Sequence, residues 1–385
     1  MDQRFSSAVL RKFGITRVGD VTGLDTIGIP VWFACRPNSR SLSVSQGKGI
    51  TDCQAQISAV MEAIECAAAE APKPQISVLG SVDELRERGL RLVPFECLAR
   101  TQANLIDGTV KRAWVRGEAF STLETVYAPF ELIGMDMRSD FPWDRKAFCM
   151  SSQGLAAGFD FDAAVLHALL ELVEHDASFA LEAAQGAIGH ASNIRYQAGL
   201  NADLDFLIGK LADAGIVPEL YDITNSIGIP VVMAVIPREV LSPDGPILRR
   251  SAGIACRLDM CTAAIAAILE AVQSRLTDIS GARDDLPEER YQQNAQHAAN
   301  RTAQWVDLSS NRVPVAGRPG EPIWKGVAAH VLARGVNEIF VFALDTGVEG
   351  FSVVRVLGSG LSAATGMLDE MSFSSLNSFL GEGVN

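Results

Sequence analysis

Hydrophobic patterning switches three times along this chain from a strand-like run to a helix-like repeat. From Ile27, IGIPVWFACRP is almost continuously apolar. It is followed by a glycine-containing turn, QGKG, and then by AQISAVMEAIECAAAE, whose apolar positions recur at helical spacing. SSQGLAAG leads in the same way into FDAAVLHALLELVEHDA, and IGIPVVMAVIP passes through SAGIA into CTAAIAAILEAVQSRL. IGIPV occurs at both Ile27 and Ile227, which marks the first and third stretches as internal repeats. Glu62 follows Gly49 by thirteen residues and Glu171 follows Gly158 by the same distance, while Glu270 and Gln273 take the matching place in the third stretch. The pattern predicts three strand–turn–helix units, each carrying a polar pair at i, i+3 in an otherwise apolar helix.

Residues 82–145 read as a mixed region with short strands in RLVPFECL, VKRAWVRGEAF and TVYAPFELIGM. LSPDGPI reads as a loop of turn residues, residues 286–312 as a polar helical excursion, and SFSSLNSFLGEGVN as a small, polar end that frays. Strands and helices alternate over a single domain of residues 1–385, so the fold class is mixed α/β, of the α+β kind.

The 385 residues are 48% hydrophobic, enough for one large core or two ordinary ones. A formal net charge of -13 argues against a nucleic-acid surface, which needs a basic patch. Seven cysteines (Cys35, Cys53, Cys66, Cys97, Cys149, Cys256, Cys261) lie scattered without a C-x-x-C pair, as reduced thiols do in a cytoplasmic protein. MDQRFSSAVLRKFG has no apolar stretch, and no run of about 18 apolar residues occurs, so a soluble protein without a membrane segment is expected.

Ser58, Glu62 and Glu65 stand at i, i+4 and i+7 and stack along one helical face, amid Ile57, Val60, Met61 and Ile64. Glu171 and Glu174 are embedded in an equally apolar helix. Carboxylates in such settings repel each other and lose hydration, so something cationic should neutralise them. One reading pairs each with an arginine or a neighbouring loop. The other gathers them around Mg²⁺, which takes hard oxygen ligands and keeps waters and phosphate oxygens as the rest. His167, His175, His190, His297 and His330 show no zinc spacing. Amides of the glycine turns at the helix starts form an anion nest, with Lys48 either adding a point charge or merely solvated. In SRLTDISGARDD, Arg275 and Arg283 with Asp284 and Asp285 form either a buried ion-pair network or a phosphate clamp.

These residues resemble the YcaO family, ATP-using enzymes that act on peptide backbone amides. The resemblance covers most of the chain: GITRVGDVTGLDTIGIPV, SLSVSQGKG, the Ser58–Glu62–Glu65 helix, GLAAG, HALLELVEHDA, DITNSIGIPV and EAVQSRLTDISGARDD occur in order. It is most similar to the branch that works with a TfuA partner to make thioamides; the proline-rich tail typical of azoline-forming cyclodehydratases is replaced by GEGVN. What the resemblance implies is ATP and Mg²⁺ as cofactors and a peptide or protein substrate. It also implies a TfuA-like partner and a homodimer. A nucleophile, sulfide in this branch, adds to the amide carbonyl, and the oxyanion then takes the γ-phosphoryl group of ATP. Carried over by position, Glu62, Glu65, Glu171 and Glu174 bind metal, and Lys48, Ser58, His167, Arg275 and Arg283 border the nucleotide; no residue is implied as catalytic.

The sequence departs from the family pattern where it has Phe159 for an asparagine, Ala163 for a glutamate, His175 for an arginine, and VLGSGLS from Val356 for V-P-G-L-E. It departs also in the basic, hydroxyl-containing segment that many relatives carry before GITR, for which Arg4, Arg11 or Lys12 would have to substitute. Two alternatives to thioamide formation therefore stand beside it: an azoline-forming cyclodehydratase, and a non-catalytic scaffold or peptide-binding subunit.

Overall fold

A computed structural model of the protein describes residues 2–183, 191–242, 245–281, 304–308, 313 and 320–362. Three sheets organise the described residues, and the mixed α/β class is as expected. The first has the order β1 (Arg17–Asp20), β2 (Val31–Cys35), β3 (Val44–Lys48). The second runs β4 (Ile76–Gly80), β5 (Arg112–Ala119), β13 (Glu338–Leu344), β14 (Ser352–Ser359), β7 (Leu155–Gly158), with β6 (Thr125–Pro129) also on β5. The third runs β11 (Gly245–Cys256), β10 (Val231–Ser242), β9 (Glu219–Asp222), β8 (Ser192–Arg195), β12 (Trp305–Asp307).

The short helices α1 (Ser7–Lys12), α3 (Pro72–Gln75), α4 (Val82–Glu87) and α5 (Phe130–Ile133) lie among the strands of the first half. The long ones are α2 (Asp52–Ala69), α6 (Phe161–Ala183), α7 (Ala202–Asp213), α8 (Met260–Ser280) and α9 (Ile323–Ala333). Strand β12, parallel to β8, occupies the described end of the stretch read as helical over 286–312, whose residues 286–303 lie outside the described residues. LSPDGPI is not a free loop: β10 runs to Ser242 and β11 begins at Gly245. The end SFSSLNSFLGEGVN lies outside the described residues.

Strand β10 shows why its sequence is continuously apolar. Val231, Met233 and Val235 point into a buried cluster with Ala168, Leu169 and Val173 of α6. Their neighbours Val232, Ala234 and Ile236 point the other way, into a cluster with Ala264, Ile268 and Val272 of α8. A strand covered on both faces has no polar side to alternate with.

The repeat seen in IGIPV extends to hydrogen bonds. In the first unit the Asp20 carboxylate accepts from the Thr22 amide (2.8 Å), and the Thr22 hydroxyl accepts from the Val31 amide (3.1 Å). The Gly49 amide donates to the Pro30 carbonyl at 3.2 Å. In the third unit Asp222 accepts from Thr224 (2.9 Å), the Thr224 hydroxyl from Val231 (3.1 Å), and Arg257 donates to Pro230 at 3.0 Å. Gly28 and Gly228 both turn the chain at positive φ, 69° and 78°, which glycine alone tolerates cheaply.

The second unit is built the same way, but from two distant pieces. Asp345 accepts from the Gly347 amide (2.8 Å), Gly350 has φ 82°, and Val353 of β14 pairs with Ala157 of β7. Val31 pairs with Lys48, and Val231 with Cys256, in the corresponding register. The three units are thus β1–β2–β3–α2, β13–β14–β7–α6 and β9–β10–β11–α8, and in each the strand preceding the long helix is a sheet edge.

The helices lie against these strands at backbone distance. A Cβ on Gly47 would stand 2.0 Å from the Ala59 nitrogen, and one on Gly253 would stand 2.3 Å from the Ala271 nitrogen. A Cβ on Gly158 would lie 2.9 Å from the Ala164 nitrogen. Gln46, Gly47 and Lys48 of QGKG are therefore strand, not turn, and Gly47 is required by the helix above it.

Candidate functional site

Of the long helices, α2, α6 and α8 each bond to the edge strand of another unit. Glu65 on α2 accepts a hydrogen bond from the Ala157 amide of β7 (3.1 Å), and Glu174 on α6 accepts from the Cys256 amide of β11 (3.0 Å). On α8 the residue in this place is Gln273, which donates instead to the Gln46 carbonyl of β3 at 3.1 Å. Helix one thus holds the edge strand of unit two, helix two that of unit three, and helix three that of unit one. Each bond satisfies a backbone group that an edge strand would otherwise leave open. In the third pair Glu270 is ion-paired, with Lys48 of β3 at 3.1 Å.

This ring turns the i, i+3 pairs of three helices toward one another. Glu62, Glu65, Glu171, Glu174 and Glu270 are all partly accessible although closely surrounded by protein, as in a concave, hydrated cleft. Burial, then the charges of Glu171 and Glu62, raise the Glu65 carboxyl well above the usual carboxylate range. Burial, then Glu270, push Glu174 up to about 8. The charges of these carboxylates thus act on one another across the three helices, and among the described residues neither Glu65 nor Glu174 has a lysine or arginine at ion-pair distance.

Glu70, just over one turn past Glu65, shows the contrast. Burial would raise it too, but Arg36 at 2.6 Å, with Ser39 and Ser41, outweighs burial and holds it below the usual range. Glu70 is a structural carboxylate, neutralised where it is buried. Glu65 and Glu174 are not.

His175 faces Glu171 at 3.5 Å. Burial presses its imidazole toward the neutral form, but the bond to Glu171 and the charges of Glu171, Glu174 and Glu270 prevail and raise its pKa. His175 stands where the resemblance has an arginine. His167, two turns earlier, keeps an exposed surface, but the protein packed around it and then Arg257 lower its pKa. Two arginines lie beneath. Arg355 is fully buried and donates to the Ile133 (3.1 Å) and Gln153 (2.7 Å) carbonyls, and Arg100 donates to Leu132 at 2.8 Å.

Several expected roles change. Each helix start has one amide taken by a capping side chain, Gln54's by Thr51, Ala163's by Asp160 and Thr262's by Asp259, so an anion there meets a partly occupied nest. Lys48 lies at the cleft but is committed to Glu270. Arg275 is turned away from it: buried, it makes a two-pronged pair with Asp25 at 2.7 and 2.9 Å. Arg275 is thus an ion-pair residue, with Asp25 as its partner, while Asp284 and Asp285 lie outside the described residues. Arg283 lies outside the described residues. Ser58, half-buried, stands one turn before Glu62 on the same face of α2.

Phe159 packs with Phe5 (5.9 Å) and Phe351 (6.0 Å), and the Arg4 guanidinium lies 3.3 Å above its ring. An aromatic cluster thus fills the place of the family's asparagine. Ala163 is exposed and only closes the Asp160 cap. Sequence reading misses Arg257 altogether. Its signal is the thirteen-residue offset from Glu270, which sets Arg257 level with Gly49 and Gly158.

Among the described residues no three histidine, cysteine, aspartate or glutamate side chains close into a ready-made metal cage. The donors nevertheless fit a hard divalent ion: carboxylates only, drawn from separate helices, with buried charges that a cation would relieve. A cavity of about 540 Å³ lies elsewhere, between Phe120, Phe161, Trp324 and Val341, with Arg116, Glu118, Asp162 and Lys325 at its edge. It holds no convergent carboxylates, so the cleft is the better candidate despite the cavity's volume. No helix among the described residues is long and apolar enough to cross a membrane.

A family model described as YcaO cyclodehydratase, ATP- and Mg²⁺-binding, matches residues 46–362. An uncharacterized protein in the tfuA 3′ region of Rhizobium leguminosarum bv. trifolii is 34% identical over 97% of this chain and 90% of its own. Among solved structures, YcaO from Methanopyrus kandleri bound with AMPPCP and Mg²⁺ superposes with a TM-score of 0.67 at 22% identity, over 98% of this chain and 92% of that one. A heterocyclase in complex with substrate and cofactor gives 0.69 at 18% identity, over 92% of this chain and 52% of that one.

Proposed function

The chain belongs to the YcaO family, and from that premise we propose that it spends ATP to activate a peptide backbone amide by phosphorylating the amide oxygen. The family's cofactors are ATP and Mg²⁺. The observation that carries the reading is the convergence of α2 and α6 carboxylates, with no lysine or arginine at ion-pair distance from Glu65 or Glu174 among the described residues. Glu62, Glu65, Glu171 and Glu174 would hold the metal. Mg²⁺ there supplies neutralisation of the triphosphate and of the charge that builds up during phosphoryl transfer.

The chain's own residues position rather than react. Glu65 and Glu174 each tie one oxygen to an edge strand, so the carboxylates are held before any ligand arrives. Ser58 and His167 border the nucleotide as hydrogen-bonding groups. In the thioamide reading, hydrosulfide adds to the amide carbon and the resulting oxyanion takes the γ-phosphoryl group. The C–O bond then breaks: amide, hydrosulfide and ATP give thioamide, ADP and hydrogen phosphate, the sulfide proton leaving on phosphate.

The relative from the tfuA 3′ region supports this branch and a TfuA-like partner; a homodimer in the cytoplasm completes the proposal. Phe159 and Ala163 favour the second reading, a non-catalytic subunit, because they offer a nucleotide no polar group. Thermal denaturation separates the two. Mg·ATP at 100 times its dissociation constant should stabilise the folded protein by about 2.7 kcal/mol, and no shift with any nucleotide would establish the scaffold. A precursor peptide that exchanges one oxygen for sulfur identifies thioamide formation, and one that loses water identifies an azoline.

A further inference from the structure

We infer that Arg257 is a phosphate-binding residue of this cleft, donating to oxygens of the nucleotide's triphosphate; the inference rests on the nucleotide reading above. The threefold arrangement singles the position out. The Arg257 amide bonds Pro230 just as the Gly49 amide bonds Pro30, and both residues precede the first helix glutamate by thirteen positions. Gly158 holds the same place before Glu171. Two units thus put no side chain at the end of the edge strand, and the third puts a guanidinium there.

Its surroundings place that guanidinium at the cleft wall. Arg257 directly follows Cys256, whose amide is bound by Glu174. Its Nη1 donates to the Cys256 carbonyl at 2.7 Å, which folds the side chain back over the strand end. The residue stays half-buried, and its charge acts on both Glu174 and His167. A guanidinium has five N–H donors, and this single bond is what the described residues offer it.

The other cations of the cleft are committed. Lys48 is held by Glu270 and His175 by Glu171, while Arg100 and Arg355 are buried on backbone carbonyls. Carboxylates suit the metal, but phosphate oxygens that the metal does not reach need a donor of their own. Planar, charged donors match them. Among the described residues Arg355 also keeps an unbonded Nη2, but it is fully buried; Arg257, half-buried, is the arginine of the cleft whose spare donors a ligand can reach.

The test compares Arg257→Gly and Arg257→Lys with the parent by calorimetric titration of a non-hydrolysable ATP analogue with Mg²⁺, and of adenosine. Arg257→Gly restores the residue that the other two units carry, so it should fold. Losing charge-assisted bonds should weaken the analogue about 10- to 100-fold and leave adenosine unchanged, with Arg257→Lys in between. Equal affinity of Arg257→Gly and parent for the analogue overturns the inference while leaving the nucleotide reading intact. So does a loss that is the same for adenosine, which marks a structural prop. A parent that binds no nucleotide takes both down. Should Arg257→Gly not fold, Arg257→Gln takes its place in the same titrations, and the same outcomes support or overturn the inference.

Discussion

Glu171→Gln is expected to lower Mg·ATP-dependent turnover by on the order of 10³-fold while the metal-free protein melts no lower than the parent. Several kcal/mol of transition-state charge stabilisation come from a correctly held metal, and each 1.36 kcal/mol is tenfold in rate. Where Glu65 and Glu174 are tied to backbone amides, Glu171 is held by an ion pair with His175 at 3.5 Å. Its charge also raises Glu65 and Glu174. The amide keeps size and polarity but removes one of several mutually repelling charges, so the empty site should be relieved rather than weakened. A melting temperature several degrees below the parent's would make Glu171 a structural ion-pair partner, and the site would lose one of its metal ligands.

Arg275→Met should behave in the opposite way, costing about 3–5 kcal/mol of stability, as breaking a buried pair does when it strands one charge, with unchanged nucleotide affinity per folded molecule. The pair is nearly inaccessible on both sides, and it joins α8 to Asp25, just before the first IGIPV turn. A third bond runs to the Pro237 carbonyl at 3.4 Å. Asp25→Asn should cost a comparable amount, and the double variant less than the sum, because the second change removes the charge that the first left stranded. Urea denaturation reads all three. Retained stability with lost nucleotide binding would restore Arg275 to the phosphate clamp.

Much of this is legible in the sequence because the chemistry sits on helices. Periodicity places Glu62, Glu65, Glu171 and Glu174 on apolar faces, and a buried carboxylate is conspicuous wherever it falls. The IGIPV identity likewise exposes two of the three units. Of the second unit the edge strand and helix are legible, but its other two strands stay hidden because they come from the opposite half of the chain, 338–359, and Gly350–Val353 keeps the turn's geometry without its sequence. Sheet partnership of that kind has no local signature.

QGKG misleads for a different reason. Glycine serves a phosphate turn and a close helix–strand contact alike, and the sequence cannot say that the backbone of Ala55 and Ala59 will press directly against Gly47. Arg275 misleads similarly: its partner Asp25 is 250 residues away. Arg257 has no motif around it, and only the matching of the three units gives it meaning.

Three like units turning their helix carboxylates inward to hold a metal–nucleotide complex is the feature on which the chemistry depends. Crystals grown with Mn²⁺ and a non-hydrolysable ATP analogue test it directly, through the anomalous signal of the metal. Manganese is expected between the α2 and α6 glutamates, with the triphosphate reaching from it toward Arg257. Manganese and nucleotide bound together anywhere else, for example in the cavity beside Trp324, would contradict it.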